Sequence, residues 1–195
     1  GIDLNYDKRN QKFATTDGFF TKYSISIPIF SETGTLKNSY NFKTFSELYE
    51  NNISTASLLL KSSFSINDED IKLSERLFIP GNRLRGFERG KVGPKDGSDF
   101  IGGNYLTAFN LTTSIPKLLE NSQTMDFVAF FDAANVWGVD YDKSIDEKND
   151  LRSSVGLGLN WMTPIGPLSF SYAEPLSRND TDILERFRFN LGTTF

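Results

Sequence analysis

The stretch Leu77–Pro94, LFIPGNRLRGFERGKVGP, decides how the rest of the chain is read. It lies in the longest connection between strand-like runs, from Asn67 to Gly102. Connections longer than about 15 residues without structure of their own are uncommon in compact folds, and are either functional or disordered. The composition here is not that of a disordered tract. Phe78, Ile79, Leu84, Phe87, Val92 and Phe100 are mixed with Pro80, Pro94 and several glycines, so the loop is expected to pack into something. Arg85 is its most informative residue, because a guanidinium stays charged and offers a planar fork to a carboxylate. Gly86 permits a backbone turn that a side chain would obstruct, and Phe87 supplies an apolar anchor.

Outward from this loop, apolar and polar residues alternate with period two. Ile2, Leu4 and Tyr6 alternate with Asp3, Asn5 and Asp7; Tyr23, Ile25, Ile27 and Ile29 with Lys22, Ser24 and Ser26; Tyr40 and Phe42 with Ser39, Asn41 and Lys43. The same period runs through Ala56–Ile66, with Leu59 as an exception, then Tyr105–Ile115, Phe127–Trp137, Val155–Trp161, Leu168–Tyr172 and Phe187–Phe195. Period two is the signature of a strand with two unlike faces. Pro28 is expected to bend or end the second strand. Thr16-Asp17-Gly18, Thr33-Gly34-Thr35, Asn51-Asn52 and Thr163–Pro167 are expected turns. About nine strands result, with no helix.

Composition narrows the class. Eighteen Phe and seven Tyr within an overall apolar content of 38% fit β-structure in which few but large residues carry the apolar face. The absence of cysteine and histidine removes disulfides, thiolate and imidazole metal ligands, and Ser-His or Cys-His nucleophile pairs, so no enzyme, metal or cofactor is expected. A net charge of −4 speaks against a nucleic-acid binder. No run of about 18 apolar residues offers a membrane-spanning helix. The alternation from Gly1 onward reads as the middle of a strand, without a signal segment.

A soluble sandwich alternates in the same way. Three features favour a membrane barrel instead: Phe, Tyr, Ile and Leu dominate the apolar face, Trp137 and Trp161 stand near strand ends as girdle residues do, and connections alternate between short and long. Asp3, Lys22, Lys61, Asp132, Arg186 and Arg188 fall on the opposite face. Nine is an odd count for a bacterial single-chain barrel, and eight strands enclose too little space for a loop of this length. The chain is therefore expected to be part of a wider barrel.

Several separated motifs, in order, resemble one family. Leu84-Arg85-Gly86-Phe87 followed by Gly90–Pro94, Gly102-Gly103-Asn104, Phe130-Phe131-Asp132 through Val136-Trp137, Trp161–Tyr172 with Glu174-Pro175, and Phe187–Phe195 (FRFNLGTTF) are similar to the carboxy-terminal half of the BamA family of outer-membrane β-barrel assembly factors, within the wider superfamily of barrel-assembly and polypeptide-transport proteins. The resemblance covers the whole chain and implies an all-β, antiparallel transmembrane β-barrel of sixteen strands, of which residues 1–195 hold about nine. It implies that the 67–102 loop folds into the lumen, that Arg85 reaches Asp132 and Phe130 there, and that 186–195 is the closing strand. Asn190, Gly192 and Phe195 resemble the carboxy-terminal signal of outer-membrane barrels and mark the seam. The implied function is non-covalent folding and insertion of β-barrel precursors through that seam, in the outer membrane of a Gram-negative bacterium. The implied partners are unfolded precursors, outer-membrane lipid, and accessory lipoproteins bound through upstream domains. The rival reading is a polypeptide-translocating pore, or translocation-and-assembly protein, of the same superfamily.

Overall fold

The computed structural model describes residues 1–12, 15–28, 34–49, 52–67, 69–116, 124–145, 150–164 and 166–191. Ile29, Thr33, Asn51, Ile165, Gly192 and Phe195, each part of a strand or turn expected above, lie outside them. In chain order the strands are β1 Ile2–Asp7, β2 Gly18–Ser26, β3 Thr35–Tyr49, β4 Asn52–Ser65, β5 Gly86–Phe87, β6 Lys95–Asp96, β7 Asp99–Phe100, β8 Tyr105–Ser114, β9 Met125–Trp137, β10 Arg152–Thr163, β11 Gly166–Ser177, β12 Leu184–Glu185 and β13 Phe187–Leu191. Single 3₁₀ turns occur at Leu73–Glu75, Gly81–Arg83 and Lys143–Ile145, and no α-helix occurs among the described residues. Nine strands form one sheet in the order β1-β2-β3-β4-β8-β9-β10-β11-β13, antiparallel throughout. The four short strands pair separately, β12 with β5 and β6 with β7.

All nine expected strands are present, and they differ from the sequence reading at their ends. β3 extends far beyond Tyr40 and Phe42, pairing with β4 from Thr35↔Ser65 to Tyr49↔Asn52. Its other residues are mostly polar on both faces, so alternation is invisible there and the ladder sets its length. β2 begins at Gly18, where a turn is expected, because the Asn10 side chain accepts backbone bonds from Gln11 and Thr16 and holds the hairpin tip further out. β2 ends at Ser26, just short of Pro28, whose missing N–H cannot extend the ladder. Arg186 precedes β13 and stands half exposed beside Glu174, at 2.9 Å.

The two faces of the sheet have different fates. The 67–102 connection lies across one face. There Ile79, Leu84, Phe87 and Val92 form a core with Leu59 of β4, Leu106 and Ala108 of β8, and Ala134 and Val136 of β9. Leu59 breaks the alternation of β4 because it belongs to this covered face. The opposite face is bare and apolar: Leu4, Tyr23, Tyr40, Leu60, Phe109, Leu111, Val155, Leu157, Tyr172, Phe187 and Phe189 are each more than a third exposed. Apolar expanses that run across a whole sheet are rare on soluble monomers and mark a surface made for something other than water.

Candidate functional site

The site is built where the loop meets β9. Along that strand Val128, Phe130, Asp132, Ala134 and Val136 are buried on the covered face, while Phe127, Ala129, Phe131 and Ala133 point the other way and are partly exposed. β10 leaves room for this row: Gly156 pairs with Phe130, and a Cβ at Gly156 would come within 2.5 Å of the Phe130 ring.

Arg85 docks onto that row. Its Nε donates to Asp132 Oδ2 at 2.7 Å and its Nη2 to Asp132 Oδ1 at 2.7 Å, a two-pronged pair with both side chains almost fully buried. Its backbone N–H adds a third bond to Oδ2 at 3.0 Å, and the guanidinium lies 3.4 Å from the centre of the Phe130 ring. Flat stacking on an aromatic face and a forked bond to a carboxylate are the two contacts for which arginine, and not lysine, is suited. Ser154 Oγ donates to the Arg85 carbonyl at 2.6 Å, so the backbone of the motif is held as well. Gly86 has φ +92°, and a Cβ there would stand 3.1 Å from that of Ala173, so glycine satisfies both the conformation and the space. Phe87 follows into the apolar core, 1% exposed.

Residues beyond the expected set complete the cluster. Asn110 of β8 donates to Asp132 Oδ1 at 2.7 Å and to the Arg83 carbonyl at 2.9 Å. Arg83 spans strands, donating to Ser57 Oγ at 2.7 Å, Asn110 Oδ1 at 3.1 Å and Asn41 Oδ1 at 3.1 Å. A cavity of about 130 Å³, lined by polar and charged residues, adjoins Arg83, Arg85 and Lys43. A second buried ion pair lies nearby: Arg152, at the start of β10, donates to both oxygens of Asp182 at 3.0 and 3.1 Å, each side chain 0% exposed. Asn135 Oδ1 and the Asp150 carbonyl also accept from Arg152, at 3.0 and 2.8 Å.

The structure thus brings Arg85, Gly86, Phe87, Phe130 and Asp132 into one cluster. Asn190 sits apart from that motif in the sheet, on β13 opposite Ser169. What the arrangement does chemically is hold: Arg85 and Asp132, and likewise Arg152 and Asp182, spend their charges on each other inside the protein, while Arg83 is held by neutral acceptors. Between the connections, Tyr141 donates to Asp96 at 2.7 Å, and this bond pushes the phenol above its ordinary pKa. Asp140 accepts from the Ile71 backbone at 2.9 Å and from Asn104.

The chain is 32% identical over 139 residues to outer membrane protein assembly factor BamA of Neisseria meningitidis serogroup B, which is 57% of this chain and 17% of that protein. It is 27% identical over 175 residues to the protein of the same name from Nitratidesulfovibrio vulgaris, 86% of this chain and 21% of that one. The chain therefore matches about a fifth of the length of these relatives. Its fold matches the crystal structure of BamA from Haemophilus ducreyi lacking POTRA domains 1-3, with a TM-score of 0.87 and 26% identity over 96% of this chain and 40% of that one. The Omp85 superfamily domain matches residues 1–195, and the chain belongs to the Omp85 superfamily.

Proposed function

We propose that the protein containing this chain is an outer-membrane protein assembly factor that folds and inserts β-barrel precursors without covalent chemistry. The reading is carried by its likeness to BamA relatives in sequence and fold, together with the Arg85–Asp132 pair that pins the loop. The bare apolar face is then the lipid-facing wall of the barrel, and the covered face lines the lumen. The Arg-Gly-Phe motif holds the loop in that lumen, and the free edge of β13 is the seam. There unpaired backbone donors and acceptors template the first strand of an incoming precursor by β-augmentation. The partners are unfolded barrel precursors, lipid, and accessory lipoproteins bound elsewhere in the protein. The site is the outer membrane of a Gram-negative bacterium.

The test is reconstitution of the full-length protein in liposomes and measurement of the folding rate of a urea-unfolded barrel precursor. Acceleration over empty liposomes, lost when the closing strand is cross-linked to the first strand of the barrel, supports the reading. A protein that leaves folding unchanged but passes an unfolded polypeptide into the vesicle is a translocating pore.

A further inference from the structure

Between β11 and β13 the chain abandons the sheet edge. β11 runs to Ser177, yet among the described residues β13 pairs with it only from Leu168↔Leu191 to Tyr172↔Phe187. One further bond follows, from the Ala173 N–H to the Arg186 carbonyl at 2.9 Å. Antiparallel strands present N–H groups to a given edge at every second residue, so the next donor on this edge falls at position 175. That residue is Pro175, which has none. The ladder ends there, and the preceding residues pair with the loop motif instead: Leu184↔Phe87 and Glu185↔Gly86 as β12 and β5, with Glu88 N–H bonded to the Ile183 carbonyl at 2.8 Å.

Arg188 closes this junction from inside β13. Its Nη1 donates to the Gly81 carbonyl and its Nη2 to the Phe87 carbonyl, each at 2.5 Å, while Nε and Nη2 bind Glu185 Oε2 at 2.8 and 2.6 Å. It is 9% exposed, so these bonds are made in a largely desolvated setting where an unmade one is costly. The loop it grips is itself tied to β9 by Arg85 and Asp132. An unbroken set of bonds therefore runs from the closing strand, through the loop, to the far side of β10.

We propose that Arg188 is a positioning residue: it fixes the loop-side end of the closing strand to the loop, and through the loop to β9, so that this end stays docked as a fixed pivot while the seam opens. This rests on the seam reading given above. Pro175 sets where the paired stretch stops, and Arg188 makes that stop a fixed point.

The test uses the full-length protein in the outer membrane. These residues contain no native cysteine, so Glu88→Cys with Ile183→Cys introduces one defined disulfide between the loop and the chain entering β13. A fixed pivot tolerates that bond: oxidised and reduced forms assemble a reporter barrel at the same rate. Assembly that stops on oxidation and returns on reduction overturns the proposal, because the strand must then leave the loop. Arg188→Gln keeps a donor but loses the fork and the charge. It slows reporter assembly by about tenfold, as loss of charge-assisted bonds to two carbonyls implies, with heat-modifiability of the barrel retained. An unchanged rate in Arg188→Gln overturns the proposal too; should that variant fail to fold, the disulfide decides alone. A cross-link between the closing and first strands separates the two ideas. If it is harmless, the seam reading fails, whatever the introduced loop-to-strand disulfide does.

Discussion

Replacing Asp182 by Asn removes one charge from the Arg152 pair and leaves the side-chain volume almost unchanged. Arg152 would keep Asn135 and the Asp150 carbonyl as acceptors, at 3.0 and 2.8 Å, but would lose its forked bond to the Asp182 carboxylate in a site with 0% exposure. Breaking a buried pair on one side costs about 3–5 kcal/mol, and the acceptors that survive put this case near the lower end, about 3 kcal/mol. Asp182 also receives the Asn179 backbone N–H at 2.7 Å, so the connection between β11 and β12 loosens along with the pair. For a protein with a urea dependence of about 3 kcal/mol per molar, the midpoint falls by about 1 M. The assay is equilibrium unfolding of the full-length barrel in detergent, read from the heat-modifiable band, with limited proteolysis reporting on residues 178–186. Replacing both partners, Arg152→Met with Asp182→Leu, is expected to restore stability to within about 1 kcal/mol, because apolar groups of similar size carry no desolvation cost. A midpoint shift below about 0.2 M for Asp182→Asn, with proteolysis unchanged, would refute the reasoning.

Further predictions come from the covered face and the connections. Leu59→Ala empties part of the core beneath the loop and is expected to cost about 2–3 kcal/mol in the same unfolding assay, whereas Leu60→Ala on the bare face costs much less when measured in detergent. Gly86→Ala combines a positive φ with a 3.1 Å approach to Ala173; about 1–3 kcal/mol of strain is expected, together with easier proteolysis of the loop. Because the Tyr141 phenol is raised by its bond to Asp96, that bond's stabilisation is complete below the ordinary tyrosine value of 10.0 and is lost as pH rises through the raised value. Protection of the connections from protease should therefore fall at high pH in the parent, and Tyr141→Phe should already show the weaker protection at neutral pH.

How much of this was legible in the sequence depends on which force sets each feature. Strand identity followed from alternation, because one face of each strand is apolar. β3 was legible only around Tyr40 and Phe42, since elsewhere backbone pairing, which leaves no mark on side-chain type, determines its extent. Leu59 looked like an error in the pattern until the loop covered it. The closeness of Arg85 and Asp132 was implied by the family likeness, and the place of Asp132 on the face opposite the apolar residues permitted it. The Arg152–Asp182 pair had a weaker signal. Arg152 falls on the same parity as Ser154, opposite Val155 and Leu157, so a charge was due on the covered face. Its partner lies in a connection with several polar candidates, where no period exists to single out Asp182. Arg188 was placed on the right face, but its carbonyl partners could not be read, because a carbonyl acceptor is present at every residue.

The most direct test of the account is a double-mutant cycle on Arg85 and Asp132 in the full-length protein, with both barrel stability and reporter-barrel assembly measured. The account predicts a coupling above about 2 kcal/mol and failed assembly in each single variant. Effects additive within about 0.5 kcal/mol, with assembly near normal, would contradict it.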